Sequence, residues 1–182
     1  PDALKQFDNS NRLRAVHTDA ILVNYYGGKA LQGGGDYRGA VNAFTRSIAS
    51  FPDFPEGYQA RGLARMAVAT ETLKSNPAES ATNVEQAVAD LTRSAWLNSK
   101  EAQTWFFLAS ALRMQAKYAE SVSPYIECIK FAKGRIPDAY YGLALSYLDI
   151  KRRKEARETL EELLSKSPNY PGARQLLART KP

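Results

Sequence analysis

The sequence predicts an all-α protein built from stacked pairs of helices, with one unpaired helix at the C-terminal end. One observation is a set of small residues that recurs along the chain in steps of 34, 47, 35 and 34 residues. Its members are Gly28, Gly62, Ala109, Ala144 and Ala178. Another is the spacing of apolar residues by three and four within each segment, which is typical of amphipathic helices.

A second set of positions keeps the same irregular rhythm. Alanine or serine recurs in steps of 47, 34 and 35 residues, and a large residue follows four positions later each time. The columns are Ala40, Ala87, Ser121 and Ala156, and Phe44, Leu91, Tyr125 and Leu160. Two independent sets with one rhythm indicate an internal repeat.

The helices can be assigned in chain order. Leu13, Val16, Ala20 and Val23 step by three and four, so we expect a long first helix that begins near Ser10 or Asn11. The first helices of the pairs read "YYGGKAL", "YQARGLA", "WFFLASAL" and "YYGLALSY". In each, a small residue follows an aromatic one, which lets a neighbouring helix approach closely.

The second helices read "YRGAVNAF", "VEQAVADL", "YAESVSPY" and "KEARETL", and Pro52 and Pro168 end two of them because proline cannot continue a helix. The segment "YPGARQLLART" predicts a last helix that covers the apolar end of the stack. The expected units are 1–20 as an N-terminal extension and start of the first helix, 21–54, 55–101, 102–136, 137–170, and 171–182 as the capping helix.

The second unit departs from the others. Gly62 and Ala87 are 25 residues apart where three other units have 12, so 13 extra residues are inserted near 69–82. We expect the first helix of this unit to run on through Thr72 or Lys74. The Ser, Asn, Ala and Glu content of residues 74–82 predicts a mobile edge loop there.

These patterns resemble the tetratricopeptide repeat. The period of 34, the aromatic and Gly/Ala positions, the Gly35-Asp36-Tyr37 turn and the closing proline are each present in some copy. The resemblance covers about residues 21–170 and implies a right-handed α-α superhelix whose concave groove is lined by the first helices. It also implies that the groove binds a segment of another protein.

The resemblance places a face of aromatic and aliphatic residues in the groove. Because Phe106 and Phe107 are adjacent, one of them is expected to face the groove. The candidate partner-binding residues are Tyr25, Lys29, Gln59, Met66, Phe106, Ser110, Arg113, Tyr141 and Leu145, accompanied by Leu22, Gln32, Leu63, Gln103, Asp138 and Leu148.

Some relatives of this kind grip a chaperone's terminal carboxylate with Lys, Asn, Asn, Lys and Arg. The matching positions here are Tyr25, Lys29, Ala60, Gln103 and Phe107, so that clamp is missing. An extended or helical segment with apolar anchors is therefore the favoured ligand.

Catalytic and metal sites are not indicated. Cys128 is the only cysteine and His17 the only histidine, which excludes an internal disulfide and a Cys/His zinc cluster. Cys128 falls at a packing position of its helix, and we expect it to be buried and unreactive. We therefore expect no enzyme activity, no metal and no cofactor.

The net charge of +6 includes a basic run, Lys151, Arg152, Arg153 and Lys154. No aromatic residues alternate with these charges, so a solvated turn is favoured over a nucleic-acid site. No apolar run is long enough for a membrane span. A soluble protein is expected, with the cytoplasm favoured and a processed or secreted form left open, because the chain begins at Pro1.

Three functions remain open at this stage. A scaffold that binds a protein segment and helps to assemble a complex is favoured. A chaperone or escort for apolar client segments would use the same groove. A regulatory domain of a larger protein is the third.

The repeat predicts a far-ultraviolet circular dichroism spectrum dominated by helix, because every assigned element has helical periodicity. A spectrum with substantial β-sheet signal would contradict the assignment.

Overall fold

In the computed structural model, residues 21–180 are described, and within this range the chain forms nine helices and no strand. The all-α prediction is confirmed, whereas the expected start near Ser10 lies outside the described residues. Helix α1 covers residues 21–33 of this range. The others are α2 Tyr37–Ser50, α3 Pro55–Thr72, α4 Pro77–Leu97, α5 Ala102–Met114, α6 Tyr118–Ala132, α7 Pro137–Asp149, α8 Arg153–Lys166 and α9 Ala173–Ala178.

Local sequence sets the helix ends. The side chain of Asp36 accepts a hydrogen bond from the backbone N–H of Gly39 at 2.8 Å and caps α2. Proline occupies the first turn of α3, α4 and α7, where no backbone N–H is needed. Pro52 and Pro168 follow the ends of α2 and α8, as the sequence predicted.

Each first helix packs on its second helix through one small and one large residue. A Cβ on Gly28 would lie 2.6 Å from the Phe44 ring, and one on Gly62 would lie 2.9 Å from Cγ of Leu91. Ala109 and Ala144 occupy the same column and are fully buried. The small residue is therefore required because the large one lies directly against the helix backbone.

Successive pairs stack in chain order. From α2 onward each helix contacts the next along the chain, and α5 also contacts α3 and α7. At the junction of the third and fourth pairs, the Tyr125 ring lies over Gly142, where a Cβ would come within 2.5 Å of it. Repeated contacts of this kind between neighbours build the array without a central core.

The expectation of an edge loop over residues 74–82 is wrong. Helix α3 does extend to Thr72, but α4 begins at Pro77, so the inserted residues lengthen both helices of the pair. Asn76 caps the new N-terminus through the Glu79 N–H at 3.2 Å, and Pro77 occupies the first helical position. Ser80 is buried and donates to the Ala69 carbonyl at 2.7 Å, which ties the two extensions together.

An ion-pair network also joins α3 to α4. The Asp90 carboxylate is almost fully buried and accepts from the guanidinium groups of Arg61 and Arg65. Arg61 also donates to the Thr45 hydroxyl of α2 at 3.2 Å. The network therefore connects three consecutive helices with charge-assisted hydrogen bonds.

Helix α9 closes the C-terminal end of the described array. Its residues Ala173 and Leu176 are buried against Leu160 and Leu163 of α8. The side facing away from the stack carries Arg174, Gln175, Ala178 and Arg179, all exposed. Polar side chains on the outer side suit a helix that covers an apolar end.

We predict that Gly142→Ala destabilises the protein by about 1–3 kcal/mol, because the new Cβ would meet the buried Tyr125 ring. Gly27→Ala is the matched control, since nothing lies within 4 Å of a Cβ there and alanine favours the helix by about 1 kcal/mol. Guanidinium unfolding midpoints measure both, and equal stability of the two variants would contradict the packing account.

Candidate functional site

The candidate site is one side of the array, formed by α1, α3, α5 and α7, which we call the first-helix face. Of the nine residues predicted to bind a partner, eight are half-buried and Lys29 is exposed. Half-burial is expected where a side chain packs at its base and meets solvent at its tip. The half-buried residues are Tyr25, Gln59, Met66, Phe106, Ser110, Arg113, Tyr141 and Leu145.

At the N-terminal end, Tyr25 is held by aromatic contacts. Its ring centroid lies 5.8 Å from that of Phe44 and 5.1 Å from that of Phe54, so it fills the junction between the first two pairs. Burial raises the pKa of the Tyr25 hydroxyl, and the nearby Glu56 carboxylate raises it further. Tyr26 has 63% of its surface exposed.

The middle of the face is apolar. The rings of Phe106 and Phe107 contact each other at 5.6 Å, and neither is fully buried. Phe106 packs toward Tyr125 at 6.1 Å, whereas Phe107 joins Met66 in the cluster around Leu91. Phe106 thus packs toward the third pair and Phe107 toward the second. Both rings are partly exposed in the middle of the first-helix face.

Arg113 already has several partners. Its guanidinium forms an ion pair with Asp149 at 2.8 Å and donates to the Ser146 hydroxyl at 3.0 Å, both on α7. It also lies 5.0 Å from the centre of the Tyr118 ring. In this structure the side chain therefore bridges α5 and α7.

At the C-terminal end, the segment before α9 contacts the first-helix face. The ring of Tyr170 lies 5.3 Å from that of Tyr141, and its hydroxyl donates to Asp138. Burial and this hydrogen bond raise the pKa of Tyr170. The Tyr141 hydroxyl is 3.2 Å from the position a Cβ would take on Gly172, whose φ is +75°.

The junction of the second and third pairs is polar and open. Gln59 donates through Nε2 to the Thr104 hydroxyl at 2.7 Å, and Ser94 donates to the Pro55 carbonyl at 2.9 Å. A cavity of about 110 Å³ remains there, which we call the notch. Its lining residues are Pro55, Glu56, Gln59, Ser94, Asn98, Glu101, Gln103 and Thr104.

Sequence reasoning placed Gln59 and Gln103 on this face but missed Glu56 and Glu101. A signal for Glu101 existed, because Phe54, Glu101, Ile136 and Tyr170 follow each other in steps of 47, 35 and 34 residues. That rhythm is the one kept by the other columns. The one acidic member of this column marks the polar junction.

Residues considered for chemistry are accounted for as follows. Cys128 is fully buried, as predicted, and burial raises the pKa of its thiol to about 11. His17 lies outside the described residues. Over residues 21–180, no three His, Cys, Asp or Glu side chains are grouped as metal ligands would be.

The basic run forms the turn into α8. Lys151, Arg152, Arg153 and Lys154 are all exposed. Arg152 forms an ion pair with Glu155 at 2.6 Å, and Lys154 approaches Glu158 at 4.0 Å. Part of its charge is therefore paired on its own helix. No helix in the described part of the chain has the length and apolar character to cross a membrane.

Comparison with known proteins agrees with the geometry. Residues 137–180 match the family model described as tetratricopeptide repeat. This segment is a tetratricopeptide repeat. The matched segment begins at the first residue of α7 and includes α8 and α9. No curated protein sequence matches the chain.

Several solved structures share the fold over most of the chain. The MamA protein superposes with a TM-score of 0.78 at 20% identity, covering 90% of this chain and 81% of its own. TTC0263, a thermophilic TPR protein of Thermus thermophilus, gives 0.68 at 17% identity over 96% and 93% of the two chains. YrrB, described as a TPR protein with an unusual peptide-binding site, gives 0.70 at 17% identity over 99% and 88%. The right-handed α-α superhelix predicted from the resemblance is thereby confirmed.

We predict that Cys128 in the folded protein resists thiol reagents at pH 7. It is fully buried, and at that pH a thiol with a pKa near 11 remains protonated and therefore a poor nucleophile. Labelling with a chromogenic disulfide reagent should be slow in buffer and rapid in guanidinium. Fast labelling of the native protein would contradict the burial.

Proposed function

We propose that the chain is a protein-interaction scaffold that binds a peptide or a helical segment of a partner along the first-helix face and helps to assemble a complex. The observation that carries the proposal is the half-burial of the apolar and aromatic residues that the repeat places on successive first helices. Stacked helix pairs present such a face as an extended concave surface.

The apolar middle of the face supports this proposal. Met66, Phe106 and Leu145 lie on α3, α5 and α7, and each is partly accessible. Partly buried aromatic and aliphatic side chains provide contact area with little loss of side-chain entropy, because packing already fixes their bases. YrrB, which has this fold, is described as having a peptide-binding site. We extend that property to this chain as part of the proposal.

The nine candidate residues are proposed to contribute in different ways. Phe106 and Tyr141 are proposed as apolar anchors, and Lys29, which is exposed, as a polar contact at the N-terminal end. Arg113 is proposed to act through the position of α7, since its guanidinium already pairs with Asp149. The missing carboxylate clamp argues against an acidic C-terminal tail as the ligand.

A chaperone or escort function is the second candidate. Tyr26 and Met114 leave 63% and 44% of their surfaces exposed, and flexible or broad apolar side chains suit varied clients. Binding of many unrelated apolar peptides with similar affinity would favour this function, whereas one dominant partner would favour the scaffold.

We predict that Phe106→Ala and Tyr141→Ala each weaken partner binding by about 2 kcal/mol or more, because an anchor would be lost from the face. Affinity capture and mass spectrometry would first identify a partner, and calorimetry with the purified partner would measure the change. Phe106→Leu, which keeps an apolar side chain against Tyr125, separates a loss of binding from a loss of stability. Circular dichroism should show the helical signal retained.

Trp96→Ala is the matched control, because Trp96 lies on α4 and 71% of its surface is exposed. Reversing the charges of Lys151, Arg152, Arg153 and Lys154 should also leave binding nearly unchanged. Normal binding by the Phe106 and Tyr141 variants, with salt-dependent loss in the charge-reversal variant, would contradict the proposal and indicate an acidic or nucleic-acid ligand.

A further inference from the structure

The notch occupies a place that other junctions fill with apolar side chains. In the first, third and fourth pairs, one column of the repeat holds Tyr25, Phe106 and Tyr141, and the second pair has Gln59 there. The column that faces it has Glu101 in the second pair. Its other members are Phe54, Ile136 and Tyr170.

The contacts show what these columns do elsewhere. Tyr25 meets Phe54 with ring centroids 5.1 Å apart, and Tyr141 meets Tyr170 at 5.3 Å. Phe106 and Ile136 pack on one core cluster. The second junction has Gln59 and Glu101 instead, and a cavity of about 110 Å³ is open there. The notch therefore arises because both columns have a polar residue at this junction, where the other junctions have apolar or aromatic ones.

The lining of the notch favours a cationic ligand group. It contains two carboxylates, Glu56 and Glu101, and none of its residues is basic. Lys100 precedes Glu101 in the chain but does not line the cavity. The Gln103 N–H donates to Oε1 of Glu101 at 3.2 Å, and this bond holds the carboxylate at the N-terminus of α5.

Two side-chain donors at the base of the notch are engaged in hydrogen bonds. The amide nitrogen of Gln59 donates to the Thr104 hydroxyl, and the hydroxyl of Ser94 donates to the Pro55 carbonyl. Thr104 and Ser94 are each 1% exposed, so these bonded side chains form a fixed floor. The carboxylates of Glu56 and Glu101 give the opening its negative charge, and the amides of Gln59, Asn98 and Gln103 add polar groups.

We propose that the notch receives a lysine or arginine side chain of the partner segment, while neighbouring residues of that segment contact the apolar middle of the first-helix face. The inference rests on the proposed function and specifies its ligand as a segment with a basic residue beside apolar ones. Two carboxylates and amide oxygens match an ammonium or guanidinium group, which carries only donors. The cavity has room for one long side chain and excludes a folded element.

The test is a selection of short random peptides on the immobilised protein, compared with the variant Glu56→Gln/Glu101→Gln. Glutamine keeps the shape of both side chains and, at position 101, retains an oxygen for the Gln103 N–H. Peptides bound by the unchanged protein should be enriched in Lys or Arg next to apolar residues. Those bound by the variant should retain the apolar residues and lose the basic enrichment.

A selected peptide then gives a quantitative measure. Replacing its enriched Lys or Arg by Gln should weaken binding to the unchanged protein about tenfold and leave binding to the variant nearly unchanged. The matched control is Glu120→Gln/Glu161→Gln, which removes the same charge from exposed positions on α6 and α8. This control should select the same basic peptides as the unchanged protein.

The outcomes separate the two proposals. Peptides that need Phe106 and Tyr141 but show no basic enrichment would overturn the notch inference and leave the proposed function intact. Enrichment in acidic residues, or an equal effect of the control variant, would also overturn it. Recovery of no peptide that depends on Phe106 or Tyr141 would count against the proposed function itself.

Discussion

The contact between a small residue on one helix and a large residue on the helix packed against it is the constraint on which the architecture depends. Gly28 lies under Phe44, Gly62 under Leu91, and the backbone at Gly142 lies under Tyr125. These contacts set how closely the helices approach and therefore where every other face points. Because each contact involves only neighbours, the same geometry propagates along the chain.

A structure held by neighbour contacts tolerates change wherever those contacts are preserved. The second pair keeps Gly62 and Leu91 and yet is extended by 13 residues. Most of the extension is helical, because Asn76 and Pro77 supply a new N-terminus and Ser80 and Val84 are buried. The same pair has Gln59 and Glu101 at the positions where the other pairs have apolar or aromatic residues. Both departures leave the stacking of α3 on α4 and α5 intact, so the second pair is where the chain differs most from a regular array.

Packing and recognition share residues on the first-helix face. Tyr25, Phe106 and Tyr141 each contact another aromatic ring of the array and remain half-buried. Arg113 links α5 to α7 through Asp149 and Ser146. A face built in this way is already ordered before a partner binds, so less conformational entropy is lost on binding. A substitution there affects stability and affinity together, which is why variants that retain volume are needed to separate the two.

The sequence by itself determined the helical class, the pairing of the helices and the burial of Cys128, because each depends on spacing within a helix. Tertiary structure decided the rest. Whether residues 77–82 form helix depends on burial against α3, which a polar composition does not reveal. The partners of Arg113 and Tyr170 lie on other helices, 36 and 32 residues away for Asp149 and Asp138. The notch exists because Gln59 and Glu101, 42 residues apart, meet at one junction, and only the stacking of α3 against α5 brings them together.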